Sequence, residues 1–301
     1  MIQPLTHWGR HIGVRSQLFL SGVLFGLMAA LARIAAKGGF SAGQLSLVRF
    51  AVGAGLMLAL FAVRPGTYAP VNRRLLLTRG ALGGLAACLY FVALSRIAAG
   101  EATLLNNTFP LVATAFAFFT LRERPTVHLA IGLAIASVGV FLVLGGGTTS
   151  FRLGWGQLAG ISSALLGAGA VTAIRALRAT DNAPTIFFAF CLGGLLISWP
   201  FALGPWPMHW GLWVLALVGV GGTSFGAQLL MTHAYGGLSV PEAAIWQQLT
   251  PAMSYLWALA LLNERLAAVG VIGVILGAAG VAYGSGLGTR RVEGGTTGLR
   301  T

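Results

Sequence analysis

A chain of 301 residues that is 56% hydrophobic and 8% charged, with 44 glycines and a mean hydropathy of +0.84, has too little polar surface for water; soluble domains carry about 25% charged residues. Lipid is its solvent, which excludes a cytosolic enzyme, a disordered chain and a secreted disulfide scaffold, and Cys88 and Cys191, both inside apolar runs, read as small packing residues. The formal charge of +13, from 18 Arg and one Lys against six carboxylates, gathers at the ends of apolar runs without forming a basic stripe, so it marks membrane topology and excludes a nucleic-acid partner.

After an N-terminal segment, 1–16, ten apolar runs follow in chain order. The first five cover 17–36, 43–63, 76–95, 101–121 and 127–145; the second five cover 154–175, 184–203, 211–231, 241–262 and 268–284. Each approaches the roughly 20 residues that cross a bilayer. The runs are continuous, with no period-two alternation, so they are helices rather than barrel strands. The first is longer than the core of a secretory signal and has a counterpart later in the chain, so it stays a helix. The tail 286–301, rich in Gly, Thr and Arg, is read as disordered. Of the basic residues, 13 fall on one side of the membrane and five on the other, with Arg49 left inside the second span. The richer side marks the cytoplasm and places both termini there. The expected fold is an all-α membrane protein of ten transmembrane helices.

Sliding the chain by 141 residues lays Glu101 on Glu242, Pro110 on Pro251, Glu123-Arg124 on Glu264-Arg265 and Asn106-Asn107 on Gln247-Gln248. Gly26, Gly80, Gly132 and Gly139 fall on Gly167, Gly221, Gly273 and Gly280. The two units, 17–146 and 154–285, hold five spans each, an odd number, so the second must enter the membrane upside down relative to the first. Inverted repeats of this kind mark many alternating-access carriers, with the substrate near the midplane where the units meet.

Ten helices in two five-helix repeats, each with a Glu-x8-Pro-x12-Glu spacing closing its fourth helix, resemble the EamA-type branch of the drug/metabolite transporter superfamily over residues 17–285. Within that branch the chain is most similar to the YddG-type amino-acid exporters. The resemblance implies a bacterial-type inner-membrane carrier whose central cavity is lined by the first, third, fourth, sixth, eighth and ninth helices. It also implies export of aromatic and other neutral amino acids. The expected partners are a small-molecule substrate and membrane lipid, and the number of subunits is left open. No P-loop and no metal-ligand spacing of His, Cys and carboxylates occurs, so neither ATP nor a metal nor another cofactor is expected.

Substrate-binding groups are sought in the fourth and ninth spans. Proline has no amide hydrogen, so the helix breakers Pro110 and Pro251 free the carbonyls of Asn106 and Gln247. With Asn107 and Gln248, each unit then offers side-chain amides and a backbone oxygen at one level, which suits the ammonium and carboxylate of an amino acid. The alternative role of these amides is to bond neighbouring helices. Tyr90 and Trp246 are taken as an apolar wall, and Gln228 as a further polar group deep in the eighth span. Arg49, six residues into the second span, is read as the sole deep basic charge, either snorkelling or serving as a counter-ion for a substrate carboxylate. One deep charge leaves a phosphorylated cargo without partners, which favours a zwitterionic or neutral solute. Glu101 and Glu242 open helices, where a carboxylate offsets the dipole, and Ser239 to Glu242 has capping-box spacing. Glu123, Arg124, Glu264 and Arg265 end helices and are read as ion-paired structural or gating groups.

Gly222-Thr223-Ser224-Phe225-Gly226 matches the G-x-S-x-G pattern of serine hydrolases and His233 follows it, so an intramembrane hydrolase using Ser224 is the rival reading. A nucleophile elbow needs a strand-to-helix turn, whereas this motif lies inside a span. Nine residues along an ideal helix put Ser224 and His233 about 13 Å apart on opposite faces. The same glycines have the G-x-x-x-G spacing of helix contacts, as do Gly22–Gly26, Gly80–Gly84, Gly156–Gly160 and Gly273–Gly277. A channel would need a repeated filter sequence, and none is visible.

Overall fold

Inside a bilayer an apolar run can leave no backbone group unpaired, so each run folds into a helix whose ends depend on the residues flanking it. The computed structural model describes residues 13–97, 99–144, 154–262 and 268–286, and the regular structure within them is helical throughout. The tail beyond 286, Glu264 and Arg265 lie outside the described residues.

Helices α1 (Val14–Lys37) and α2 (Ala42–Val63) are joined by a turn in which Gly39 takes φ 111°, a left-handed conformation that favours glycine. Ser41 then opens α2 with a capping box: the Gln44 amide donates to Ser41 Oγ at 3.1 Å and the Ser41 amide to Gln44 Oε1 at 2.9 Å. Helix α3 (Arg73–Arg96) is capped by Asn72, whose Oδ1 accepts from the Leu75 amide at 3.1 Å. The fourth run forms α4 (Ala99–Asn106) and α5 (Phe109–Thr120), and the fifth forms α6 (Val127–Val143).

In the second half, α7 (Trp155–Leu177) leads through a short turn into α8 (Ala183–Ser198), which a 3-10 turn, Trp199–Ala202, extends. The turn before α8 holds the α2–α3 link in place. The buried Asp181 carboxylate accepts from the Val71 and Asn72 amides at 2.8 and 3.2 Å, and Asn182 Nδ2 donates to the Thr67 carbonyl at 2.7 Å. Where sequence predicts one uniform eighth helix, the chain runs as α9 (Trp210–Val214), a π-helical stretch Leu215–Gly222, and α10 (Thr223–Ala234). Glycines allow that widening: a Cβ on Gly221 would lie 2.7 Å from Val52 Cγ2, so the π stretch rests directly on α2. The ninth run divides into α11 (Val240–Gln247) and α12 (Leu249–Leu262), and α13 (Ala268–Gly284) closes the described chain.

Among the described residues, six helical stretches are long and apolar enough to cross a membrane: Val14–Lys37, Ala42–Val63, Ala102–Thr120, Trp155–Leu177, Ala183–Ala202 and Trp210–Ala234. Val127–Val143 and Ala268–Gly284 are shorter apolar helices. Lipid tails are as apolar as leucine, so helices associate here through close packing rather than escape from water. Glycine provides that closeness where the halves meet. A Cβ on Gly280 would lie 2.6 Å from the Gly132 carbonyl across the α6–α13 contact, and one on Gly80 would lie 2.8 Å from the Ala189 carbonyl across α3–α8. Gly80, Gly84 and Gly273 are therefore helix contacts, whereas a Cβ on Gly222 or on Gly277 would meet nothing within 4 Å. Val63, Phe119, Leu196 and Val218 are 70–79% exposed, a perimeter suited to lipid and not to water. The largest buried cluster draws on both halves, joining Ala113, Ala117 and Leu133 to Ile174, Ile186, Tyr235, Ile245 and Trp246.

Candidate functional site

The fourth and ninth runs are both interrupted, and each interruption falls at the amide pair upstream of Pro110 or Pro251. Helix α4 stops at Asn106, and Pro110 stands in the first turn of α5, where a missing amide hydrogen costs no helical bond. Asn107 Nδ2 donates to the Thr103 carbonyl at 2.9 Å, and Thr103 Oγ1 shares a 2.9 Å hydrogen bond with the Tyr90 hydroxyl. Asn106 Oδ1 lies 2.8 Å from Ser163 Oγ of α7, which also lies 2.7 Å from the Ala86 carbonyl of α3. A hydroxyl has one proton, so Ser163 satisfies one of these two oxygens at a time and leaves the other open to a donor. The structure thus brings together Tyr90, Asn106 and Asn107, and adds Thr103 and Ser163. A sequence shows no sign of the latter two, because small hydroxyls are common in packed membrane helices.

The second break has the same plan with longer side chains. Ser239 and Glu242 form the expected capping box at the start of α11. At its end Gln247 Nε2 donates to the Tyr235 hydroxyl, and Gln248 Nε2 donates to Ser137 Oγ of α6 at 2.8 Å. Gln248 Oε1 and Gln228 Nε2 are buried with no hydrogen-bond partner. A buried amide atom left unsatisfied costs about 1–3 kcal/mol, so among the described residues these two atoms stand out as unsatisfied. Trp246, expected as a cavity wall, is 8% exposed and packed into the main core beside Leu249.

Charged groups gather at one end of the bundle. Glu123 accepts from Arg175 Nε of α7 at 2.7 Å through Oε1 and from the Val240 amide of α11 at 2.6 Å through Oε2. The turn that presents it holds Arg122 at φ 56°, a left-handed conformation unusual for a side chain of this size. Arg15 Nη2 meets Glu242 Oε1 at 3.5 Å. Glu123 is thus ion-paired as expected, with Arg175 as partner. Arg124 lines a cleft of about 490 Å³ with His128, Ser239, Glu242 and Tyr283. At the same end, burial pushes the Arg178 guanidinium below its ordinary pKa, while its Nη1 donates to the Asp181 carbonyl at 2.8 Å. Glu101 falls within α4, its side chain outside the described set.

The reading of Arg49 as the sole deep basic charge needs correction. Arg79, which counts by sequence with the basic residues of the cytoplasmic side, lies inside α3 and is 3% exposed. Its guanidinium lies 4.0 Å from the centre of the Phe190 ring, in space that a Cβ on Gly83 would fill. The usable signal is an arginine four residues before a glycine inside an apolar run, since the missing side chain leaves a place for the folded-back guanidinium. Arg49 lies 4.9 Å above the Phe50 ring.

Ser224 and His233 both belong to α10, and the histidine is committed elsewhere: its Nδ1 lies 2.8 Å from Gln17 Oε1 of α1.

Comparison with known proteins places these features in a wider group. The profile of the EamA-like transporter family matches the chain twice, over residues 16–145 and 154–285. A pseudopaline exporter of Pseudomonas aeruginosa is 25% identical over 262 residues, covering 85% of this chain and 90% of its own. The human solute carrier family 35 member G1 is 23% identical over 67% of this chain and 59% of its own, and an uncharacterized transporter of Helicobacter pylori is 25% identical over 73% and 76%. A solved crystal structure superposes with a TM-score of 0.74, covering 92% of this chain and 99% of that one at 20% identity, a likeness of fold.

Proposed function

Because this chain belongs to the EamA-like transporter family, we propose that it is a multi-pass inner-membrane secondary carrier that exports amino acids or amino-acid-like metabolites by alternating access. The proposed topology has ten crossings in two inverted five-helix units, 17–146 and 154–285, with both termini in the cytoplasm. The observation that carries the proposal is the pair of helix breaks at Asn106 and Gln247, which are 141 residues apart. In inverted units such breaks face one another across the midplane, and each sets side-chain amides beside a carbonyl that its proline cannot bond. The amides would donate to a substrate carboxylate and the carbonyls accept from its ammonium. As the units rock, the same groups face first one side and then the other.

Two further facts support this reading. Arg15, Glu123, Arg175 and Glu242 come from stretches that the charge rule assigns to the cytoplasm, and they meet at one end of the bundle. Among the relatives, the Pseudomonas aeruginosa protein is named an exporter. The case for a neutral cargo rested on a lone deep arginine, and it lapses now that Arg79 is buried as well.

Reconstituted protein should take up labelled amino acids saturably, with loss in Asn106→Ala and Gln247→Ala; wild-type rates in the double variant would remove the site. Single cysteines at positions 95 and 236 should react from opposite sides of the bilayer, and reaction from one side would end the inverted-unit topology. Ester or peptide hydrolysis that disappears in Ser224→Ala would make the chain an enzyme instead.

A further inference from the structure

Helices α3 and α8 meet through glycine, and a groove of about 610 Å³ lies along their seam. A Cβ on Gly193 would collide with the Gly80 carbonyl, so the two backbones touch and form a floor on which no side chain stands. On α3 the lining recurs at Arg73, Leu76, Leu77, Gly80 and Ala81, one face of a helix, and on α8 it runs from Thr185 to Ile197. Leu77 and Leu196, one on each helix, are 74% and 78% exposed. The groove therefore belongs to the perimeter that lipid solvates.

It has a fixed mouth and a closed end. At the mouth the Tyr68 ring packs against those of Phe61 and Phe188, at 5.2 and 5.9 Å. Asp181 and Asn182 hold the backbone between Tyr68 and Arg73 through the Val71 and Asn72 amides and the Thr67 carbonyl. At the far end a Cβ on Gly84 would lie 2.6 Å from Ile197 Cδ1, so Ile197 reaches across the seam and shuts it. Thr185 and Ile197 are twelve residues apart, about 18 Å along a helix. That is slightly more than half of the roughly 30 Å hydrocarbon core. The groove thus has the depth of one leaflet, and in the proposed topology it opens on the cytoplasmic side.

Chemistry at the mouth decides the occupant. Lipid tails are as apolar as the lining, so the groove alone favours no lipid over another. Any preference has to come from the headgroup. Arg73 is exposed there, and the described ion pairs, Arg15–Glu242 and Arg175–Glu123, leave it out. The Asp181 carboxylate is taken up by the Val71 and Asn72 amides and the Thr180 hydroxyl. A guanidinium forks onto phosphate oxygens, and tyrosine favours the level of the headgroups. Basic pockets between helices on the cytoplasmic side select anionic lipids. Simple snorkelling would explain an exposed arginine at this depth, but not the leaflet-deep groove beneath it.

We propose that the α3–α8 groove seats one anionic phospholipid of the cytoplasmic leaflet, with an acyl chain along Leu77 and Ala81 and its phosphodiester on Arg73 and the Tyr68 hydroxyl. This site goes beyond the carrier function and is independent of the cargo.

The test is a native mass-spectrometric titration of the full-length protein in detergent. Its ligands are phosphatidylglycerol and phosphatidylcholine with identical acyl chains, and inorganic phosphate. One phosphatidylglycerol per chain should bind about fivefold more tightly than phosphatidylcholine, the worth of one arginine at an anionic membrane surface. Arg73→Met should abolish that preference. Arg74→Met, which removes the neighbouring charge outside the groove lining, should change it by less than twofold. Ala81→Trp, made at an exposed lining position, should weaken both lipids by filling the groove. Phosphatidylglycerol should also raise the melting temperature of the wild type and of Arg74→Met, but not of Arg73→Met. Equal losses in the two arginine variants would reduce the preference to general surface charge and overturn the site. So would equal affinity for the two lipids, or inorganic phosphate binding as tightly as phosphatidylglycerol. Unchanged lipid binding in a folded Ala81→Trp protein would also overturn it; should that variant not fold, the arginine pair decides. A two-chain species that Ala81→Trp dissociates would make the groove an interface between copies instead.

Discussion

The breaks at α4–α5 and α11–α12 share a proline and an amide pair, yet their amides are held differently. The first pair is bonded within its own helix and to α7, through Asn107 to Thr103 and Asn106 to Ser163, and its residues are half-buried. The second pair reaches farther, from Gln247 to Tyr235 at the end of α10 and from Gln248 to Ser137 of α6, with Gln248 1% exposed. One extra methylene in glutamine accounts for that reach. The second break is therefore tied to three separate elements, counting the Glu123 carboxylate on the Val240 amide at the start of α11, while the first is tied through Ser163 to α7 and through Thr103 to α3. Sequence symmetry between the two units coexists with unequal mechanical anchoring.

This inequality can be broken or sharpened by experiment. The largest effect is expected from Gln247→Leu, which removes the amide proposed to bind the substrate and its bond to Tyr235; uptake should fall roughly tenfold or more, the equivalent of about 1.4 kcal/mol, whereas Asn107→Leu should stay within about twofold. Glu123→Ala comes next. It removes two charge-assisted bonds, each contributing about 1.5–3 kcal/mol when well formed, so the melting temperature in detergent should drop clearly, with Arg175→Ala falling by less because the Val240 contact survives. The smallest effect is expected at Ser137. Ser137→Ala leaves the Gln248 amide nitrogen unpartnered and should cost about 1 kcal/mol, near the average for hydrogen bonds between membrane helices. Gln248→Leu, which also removes the unpartnered Oε1, should be close to neutral. A larger loss in Gln248→Leu than in Ser137→Ala would mean that the carboxamide has a further partner.

Both helix breaks were legible in the chain. Proline chemistry and a repeat offset locate both breaks to within a few residues, because each effect is local. Capping at Ser239 was legible for the same reason. Partners such as Ser163, Tyr235 and Arg175 were not, since they depend on which helices touch, and hydropathy says nothing of that. Arg79 escaped because a charge near the start of an apolar run looks like a terminal residue until the preceding turn, Arg73 to Thr78, is seen to be helical. The π stretch at Leu215–Gly222 has no sequence mark beyond its glycines, which serve equally well for tight helix contacts.

One connection described above bears on how such a molecule divides when it moves. The Asp181 carboxylate clasps the backbone just ahead of α3, and Gly80 and Gly193 bring α3 and α8 into backbone contact along their length. Neither helix can tilt alone. In the proposed rocking motion each piece that swings would therefore be a hybrid, drawn partly from the first half of the gene product and partly from the second, and the boundary between moving parts would run across the two family-matched halves rather than between them.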